Sequence, residues 1–404
     1  MTEETVQRVI THAEPTHGTP TVLITQSEID EALRGLERGS GPLAVDAERA
    51  SGFKYSQRAY LLQFARHDSD IVLLDPTTDA SLIAFATTVN AMPWILHAAT
   101  QDLPCLREIG FVPTSVYDTE LAAKLLGRER VGLGSLLEHE LEVVIAKEHS
   151  AVDWSTRPIP EEWRAYAALD VEFLPALHVK LHAELEERDR LHWYDQERAL
   201  LLTFTGPEVR AEPWRRTSGI HAIRDARKQA VVRALWEARD VRARELDVSP
   251  GRVLHDSVIV DIATHLPSSQ AKLEAMRPVH NRNARKDPAY WWAAIETALA
   301  LSESELPRRQ SSEGAIPPPK AWPQRNPDAA VRWECVRPAT VAVAEALGLQ
   351  PEVLVSPETI RRLCWEGFVL GMGADAVGEL LHQHGARPWQ IEQLQTAIAV
   401  ALQP

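Results

Sequence analysis

Asp46 and Glu48 stand two residues apart in the apolar run LAVDAE at 43–48. In a strand, alternate side chains share a face, so both carboxylates leave the same side of a sheet. Two carboxylates aimed at one point repel unless a cation or a proton lies between them. Asp102 follows the strand-like WILH (94–97) in HAATQDLPCL, where the chain turns into a helix and where an aspartate also makes a good N-cap. His97, ending that strand, reads as a buried histidine. Tyr166 and Asp170 lie four apart in YAALDVEFL, so they share one helix face, and a phenol beside a carboxylate can orient a water. The alanines at 165, 167 and 168 suit a helix that a bulky substrate approaches closely. Taken singly, each of these residues reads as an edge, a cap or a core position. Their combination points to one acidic site.

The elements that must bring them together are legible as patterns. Residues 43–48, 59–65 (AYLLQFA), 70–75 (DIVLLD) and 94–97 are short, apolar and rich in branched or aromatic residues, as buried strands are. Helical spacing runs from a cap at Ser27 to about Arg38, then over 118–126 and 160–188. Strands crowded early and helices late imply a mixed sheet covered by helices. The first twenty residues, with Pro15, Gly18 and Pro20, read as a poorly ordered arm (1–20), so the α/β domain is placed at 21–206. Gly206, Pro207 and Pro213 then break the pattern. An all-helical module follows at 207–306, a Pro-rich linker at 307–327, and a second helical module at 328–404. The segments LDVSPGRVLHDSVIVDIA (246–263) and LGLQPEVLVSPETIRRLC (347–364) match in outline, which suggests a weak internal repeat.

The net charge of −14 at first argues against a nucleic-acid partner. Its distribution changes that: residues 1–206 hold 18 basic and 33 acidic residues, whereas 207–310 hold 18 and 14. Carboxylates gathered around divalent cations would invert the local field that a phosphate meets. Arg224, Arg227, Lys228 and Arg233 fall on overlapping helix faces and could track a phosphate backbone, or form an ordinary solvated face. Cys105, Cys335 and Cys364 match no disulfide or zinc pattern and read as buried small hydrophobes. The scattered histidines carry no metal pattern. No stretch approaches the roughly 18 apolar residues of a membrane span, and the acidic, polar start implies a cytoplasmic protein.

At this point the sequence resembles the DEDD superfamily of 3′→5′ exonucleases, in the branch with tyrosine in its third motif, and within it the ribonuclease D family. Asp46-Ala47-Glu48 matches the first motif, Asp102 the second, and Tyr166 with Asp170 the third. QRAYLLQFA (57–65), LHAATQDL (96–103), VYDTELAAKLLG (116–127) and DWSTRPIPEEWRAYAALDVEFL (153–174) resemble its intervening signatures. The middle module resembles the HRDC domain, a helical nucleic-acid-binding unit, through Trp214 and PGRVLHDSVIVDIA (250–263); the C-terminal module does so only in outline. Ala47 stands where threonine is common and Trp163 where glutamine often precedes the third motif. Neither departure removes a carboxylate.

The resemblance implies an α/β fold: a ribonuclease H-like mixed-sheet exonuclease domain followed by two all-α HRDC-like helical domains. It implies two divalent cations, Mg²⁺ or Mn²⁺, which the hard carboxylate oxygens of Asp46, Glu48, Asp102 and Asp170 suit. Asp46 would bridge both ions, Glu48 and Asp170 would hold the ion that activates water, Asp102 would serve the leaving side, and Tyr166 would orient the water. The expected activity is 3′→5′ exoribonucleolytic release of nucleoside 5′-monophosphates, with tRNA precursors and other small structured RNAs as substrates. A DNA-directed exonuclease and an inactive nucleic-acid-binding scaffold are the alternatives. Asp118 opens a helical run and is left out of the metal set. Lys147, Asp153 and Trp154 are expected near the wall of the site. No protein partner is implied.

Overall fold

Chain order in the first part of the protein is β1 (Ile10–His12), β2 (Val22–Leu23), α1 (Gln26–Arg38), β3 (Ser40–Arg49), β4 (Ala59–His67), β5 (Val72–Leu74), α2 (Ile83–Asn90) and β6 (Trp94–Leu96). Then come α3 (Leu103–Glu108), β7 (Val116–Asp118), α4 (Thr119–Leu125), α5 (Leu133–Leu141), β8 (Val143–Ile145), α6 (Glu161–Glu172), α7 (Leu174–Glu187) and α8 (Leu191–Thr203). The structure is a computed structural model and describes residues 10–145, 151–208, 210–276, 287–308, 316–366 and 371–403. Lys147 lies outside the described residues.

The four apolar runs become β3, β4, β5 and β6, inside a six-stranded sheet of order β2-β5-β4-β3-β6-β7. The sheet is mixed: β3–β4 and β4–β5 are antiparallel, while β3–β6, β6–β7 and β2–β5 are parallel. Strand alternation sorts its two faces. Val45, Ala47, Leu62 and Phe64 pack on Ile29, Phe85 and Leu106, from the first three helices. Ala44 and Ala65 belong to a second core with Leu169 and Val171 of α6 and Leu174 and Leu177 of α7. The even-numbered positions of β3, Asp46 and Glu48 among them, therefore face α6 and α7.

The helical part comprises α9 (Ala226–Leu246), α10 (Pro250–Val253), α11 (Asp256–His265), α12 (Gln270–Ala275) and α13 (Pro288–Ala300). After it come α14 (Trp322–Arg325), α15 (Pro327–Leu347), α16 (Pro351–Leu354), α17 (Pro357–Glu366), α18 (Ala374–Gln383) and α19 (Pro388–Ala401). The repeat seen in sequence has a structural counterpart. In each module a 21-residue helix ends at a left-handed residue, Asp247 or Gly348, before a 4-residue and a 10-residue helix. Both modules dock on the sheet domain. Ser249 N–H donates to Phe53 O at 2.9 Å, and Tyr55 OH donates to Asp240 at 3.0 Å. On the other side Trp193 of α8 stacks on Trp389 of α19 with ring centroids 4.7 Å apart. There Gly127 (φ 78°) lies so near Gly348 that a Cβ would stand 1.9 Å from the Gly348 carbonyl oxygen.

Several local expectations are corrected. Thr25, not Ser27, caps α1, in a capping box with Glu28. Ile10–His12, inside the segment read as an arm, pairs with Val143–Ile145, and Thr16 N–H donates to Glu172. The Pro-rich stretch read as a linker ends in folded structure, because Trp322 is fully buried with its Nε1 donating to Pro317 O. The strands β1, β2, β7 and β8 are two or three residues long, too short for a period to show. Among the described residues no helix is long and apolar enough to cross a membrane.

Candidate active site

Asp46 and Glu48 project from the end of β3 toward α6, and Asp170 projects back from the third turn of that helix. Carboxylate oxygens of the three lie within 4.8 Å of one another. Asp102, 5% exposed, completes the group from the start of α3. It occupies the N-cap position there, yet its side chain makes no capping bond. Instead it lies beside Asp46 and 3.6 Å from the Arg49 guanidinium. Tyr166 shares the Asp170 face of α6 and hydrogen-bonds to it. Asp46, Glu48, Asp102, Tyr166 and Asp170 thus line one cleft of about 280 Å³, with Arg49, His97 and Gln101 on its wall.

The electrostatics of so many acids in one cleft are unfavourable without a cation. Burial raises Asp46 above the ordinary aspartate range, opposed by the Ala47 N–H and by the Asp102 side chain. Burial and then the charges of Asp46, Asp170 and Asp102 push Glu48 well up. Burial and Asp46 do the same to Asp102 and Asp170. Burial, then Asp170 and Glu48, raises the Tyr166 phenol, so it stays a neutral hydrogen-bond donor at neutral pH. Clustered hard oxygen donors with this mutual repulsion fit divalent cations such as Mg²⁺ or Mn²⁺.

The supporting residues were only partly visible in sequence. Asp118 caps α4, accepting from Glu120 N–H and Leu121 N–H, and its oxygens also accept Ala98 N–H and Ala99 N–H. It thereby fixes the turn between β6 and Asp102, where Ala98 adopts a left-handed φ of 57°. Burial lowers His97 to about 4, and its Nδ1 pairs with Thr119 Oγ1 at 2.9 Å, so it is a neutral wall residue. Trp154 is fully buried behind the site, 6.4 Å from the Tyr166 ring, and Asp153 bonds Ser155 within its own turn. Arg157 ties this segment to β4 and β5 through Asp75 Oδ2 (2.6 Å), Tyr60 O (2.6 Å) and Trp154 O (2.8 Å). No sequence pattern marked the Arg49–Asp102 or Arg157–Asp75 pairs, which join residues distant along the chain.

None of the four cations of the middle module lines this cleft: Arg227, Lys228 and Arg233 lie in the first half of α9 and Arg224 just before it. Arg227 donates to Leu299 O and Glu303, and Lys228 to Thr264 O at 2.6 Å, so both tether neighbouring segments of the module. Arg224 is exposed and Arg233 half-buried. The module meets the sheet domain at a seam against residues 52–56, where Arg252 Nε donates to Gly52 O at 2.7 Å and Ser56 N–H to Asp247.

Comparison with known proteins adds a second line. Residues 21–186 match the 3′-5′ exonuclease family, 228–295 the HRDC domain, and 315–402 the 3′ to 5′ exonuclease C-terminal domain. Ribonuclease D of Jannaschia sp. is 31% identical over 281 residues, covering 67% of this chain and 72% of that protein. Ribonuclease D of Gluconacetobacter diazotrophicus is 30% identical over 311 residues, covering 74% and 77%. The chain belongs to the ribonuclease D family. The ribonuclease D fold is shared as well: a crystal structure of a Bifidobacterium adolescentis protein aligns over 98% of this chain and all of that one, with TM-score 0.88 and 35% identity. Escherichia coli RNase D, described as an exoribonuclease involved in structured RNA processing, aligns over 90% and 98% with TM-score 0.66 and 22% identity. Membership makes this chain a ribonuclease D-like 3′→5′ exoribonuclease, a hydrolase of phosphodiester bonds.

Proposed function

We propose that Asp46, Glu48, Asp102 and Asp170 hold two divalent cations, Mg²⁺ or Mn²⁺, and that the protein uses them to trim RNA 3′ ends to nucleoside 5′-monophosphates. The observation that carries this is the approach of the Asp46, Glu48 and Asp170 carboxylates to within 4.8 Å across strand and helix, with buried Asp102 beside them. Asp46, central in the group, would be shared by both ions, with Glu48 and Asp170 on one side and Asp102 on the other. When bound, such cations offset charge on the attacking and departing oxygens of the phosphodiester.

The chain's own residues do the rest. Tyr166, a neutral phenol whose O–H is donated to Asp170, accepts a hydrogen bond from the attacking water on its oxygen and so orients that water in line with the scissile bond. The water oxygen bonds to phosphorus as the bond to the departing 3′-oxygen breaks, and that oxygen leaves as a 3′-hydroxyl. Arg49 holds Asp102 from the cleft wall and adds positive charge where the phosphate enters. The middle module serves as the RNA handle, through the exposed Arg224 and half-buried Arg233, with Arg227 and Lys228 bracing the helices that present them.

We assign tRNA precursors and other small structured RNAs as substrates and the cytoplasm as the place of action. Free thiols at Cys105, Cys335 and Cys364 suit a reducing compartment. The test is digestion of matched single-stranded RNA, single-stranded DNA and a tRNA precursor carrying a 3′ extension, with products resolved by size. RNA shortened from its 3′ end to 5′-monophosphates, with the extension removed, supports the assignment. Preference for DNA overturns the substrate, and inertness in either metal overturns the mechanism.

A further inference from the structure

Gln63 is fully buried in the middle of β4, and neither its amide oxygen nor its amide nitrogen has a hydrogen-bond partner among the described residues. A buried primary amide has donors and an acceptor to satisfy, and leaving all of them unmet is a cost that proteins avoid outside functional sites. An apolar residue of similar volume would suit the surroundings better. On one side Gln63 pairs in register with Leu73 of β5, and along its own strand the neighbours on its face are Leu61 and Ala65. The exception is across the other edge, where Gln63 stands directly opposite Asp46.

Residues directly opposite in an antiparallel pair point to the same face, with Cβ atoms roughly 4.5–5.5 Å apart. The Gln63 amide therefore lies on the face that carries the candidate metal ligands. Of the two ionisable residues on this face of β3, Asp46 stands directly opposite Gln63, whereas Glu48 stands opposite Leu61, one pair further along.

We propose that Gln63 is a positioning residue for Asp46, its amide N–H donating through one buried water to the inward oxygen of the Asp46 carboxylate. The inference rests on the reading of Asp46 as a shared metal ligand. A carboxylate shared between two ions must keep one orientation, and a fixed donor on its inward oxygen sets its rotation. The uneven register also places the device well. The β3–β4 pairing is regular from Ala44 to Glu48 and shifts on either side, between Ser40 and Ala44 and between Glu48 and Arg49, so Asp46 and Gln63 sit in the regular part of the ladder.

Gln63→Met keeps side-chain length and removes both polar ends, and Gln63→Leu serves as a second apolar variant. Two readouts are needed: the thermal midpoint of metal-free protein, and its rise on titration with MnCl₂. Loss of the donor moves the Mn²⁺ concentration at half-maximal stabilisation upward by about 10- to 100-fold, the usual range for removing a partner behind a ligand. The metal-free midpoint stays level or rises, and cleavage of a short RNA slows in parallel. A lowered metal-free midpoint with an unchanged Mn²⁺ titration in both variants makes Gln63 a packing residue and overturns the proposal. If wild type itself gains no stability from Mn²⁺, the metal reading fails; if wild type responds and both variants respond alike, only the role of Gln63 fails.

Discussion

Asp118 accepts the backbone N–H of Ala99 at 2.9 Å, linking the start of α4 to the turn that delivers Asp102. The same carboxylate receives the Ala98, Glu120 and Leu121 N–H groups, and at 3% exposure water has little access to replace it. It therefore fixes the left-handed Ala98 that a β-carbon makes unfavourable. Asp118→Ala should destabilise the protein by about 2–3 kcal/mol, combining a lost cap with buried unpaired donors. Urea unfolding measures that loss. Asp118→Asn, which keeps an acceptor, should recover part of it, and an unchanged unfolding midpoint in Asp118→Ala would refute the role.

The carboxylate cluster should make the metal-free protein less stable than it could be. Burial raises Asp46, Glu48, Asp102 and Asp170 above their unfolded values. Such groups bind protons more tightly in the fold, so their contribution is fully present below the unfolded carboxyl range and is lost as pH rises through the folded values. Asp46→Asn removes the central charge. In EDTA its melting temperature should match wild type near pH 4 and exceed it increasingly toward pH 8, while catalysis is lost. A variant that melts below wild type at pH 8 would contradict this.

Arg157 and Asp75 give the opposite sign. Burial pushes Asp75 up, but hydrogen bonds from Arg157 and Thr77 outweigh it and leave the carboxyl below its usual range. That contribution is present above the unfolded pKa and is lost as pH falls through the lower folded value. Arg157→Ala should cost about 2–3 kcal/mol at pH 7, less than a fully buried pair because the arginine is 32% exposed. The difference from wild type should shrink in acid, as denaturation curves at pH 7 and pH 3 would show. A gap that widens at pH 3 would rule the pair out as the source.

How legible was all this beforehand? The acid pair showed because strand alternation is local: Asp46 and Glu48 share a face in any strand. Tyr166 and Asp170 showed for the helical equivalent of that reason. Asp118 showed as the opening of a helical run, which it caps, but not in its grip on Ala98 and Ala99; Arg49, Arg157 and Gln63 did not show, since each acts on a residue far along the chain, through a sheet register or a loop that no local period encodes. Asp102 fell between: its N-cap position was visible, but not that its carboxylate turns away from the helix to Arg49 and Asp46. The middle module's charge excess was equally plain in sequence. That Arg227 and Lys228 spend their charge on Leu299, Glu303 and Thr264 required the packed helices.

That engagement changes how the RNA handle should be tested. Removing residues 207–404 would bare Trp193 and the apolar face beneath Trp389, so weakened binding by the fragment would be ambiguous. Replacing Arg224 and Arg233 by serine should instead lower affinity for a long structured RNA and reduce the salt dependence of binding by about one phosphate contact per residue. The cleavage rate on a short oligonucleotide should hold. Filter binding across a salt series reads the first, and an unchanged slope would remove these residues from the interface.

The most direct measurement is single-turnover cleavage of a 5′-labelled RNA in Mg²⁺ by wild type and by Asp46→Asn, Glu48→Gln, Asp102→Asn and Asp170→Asn, each checked for folding by circular dichroism. If all four carboxylates hold the cations, every variant folds and loses about 10³-fold or more in rate, on the order of losing a principal electrostatic stabiliser of the transition state. A folded variant of any of the four that cleaves at the wild-type rate would contradict the account.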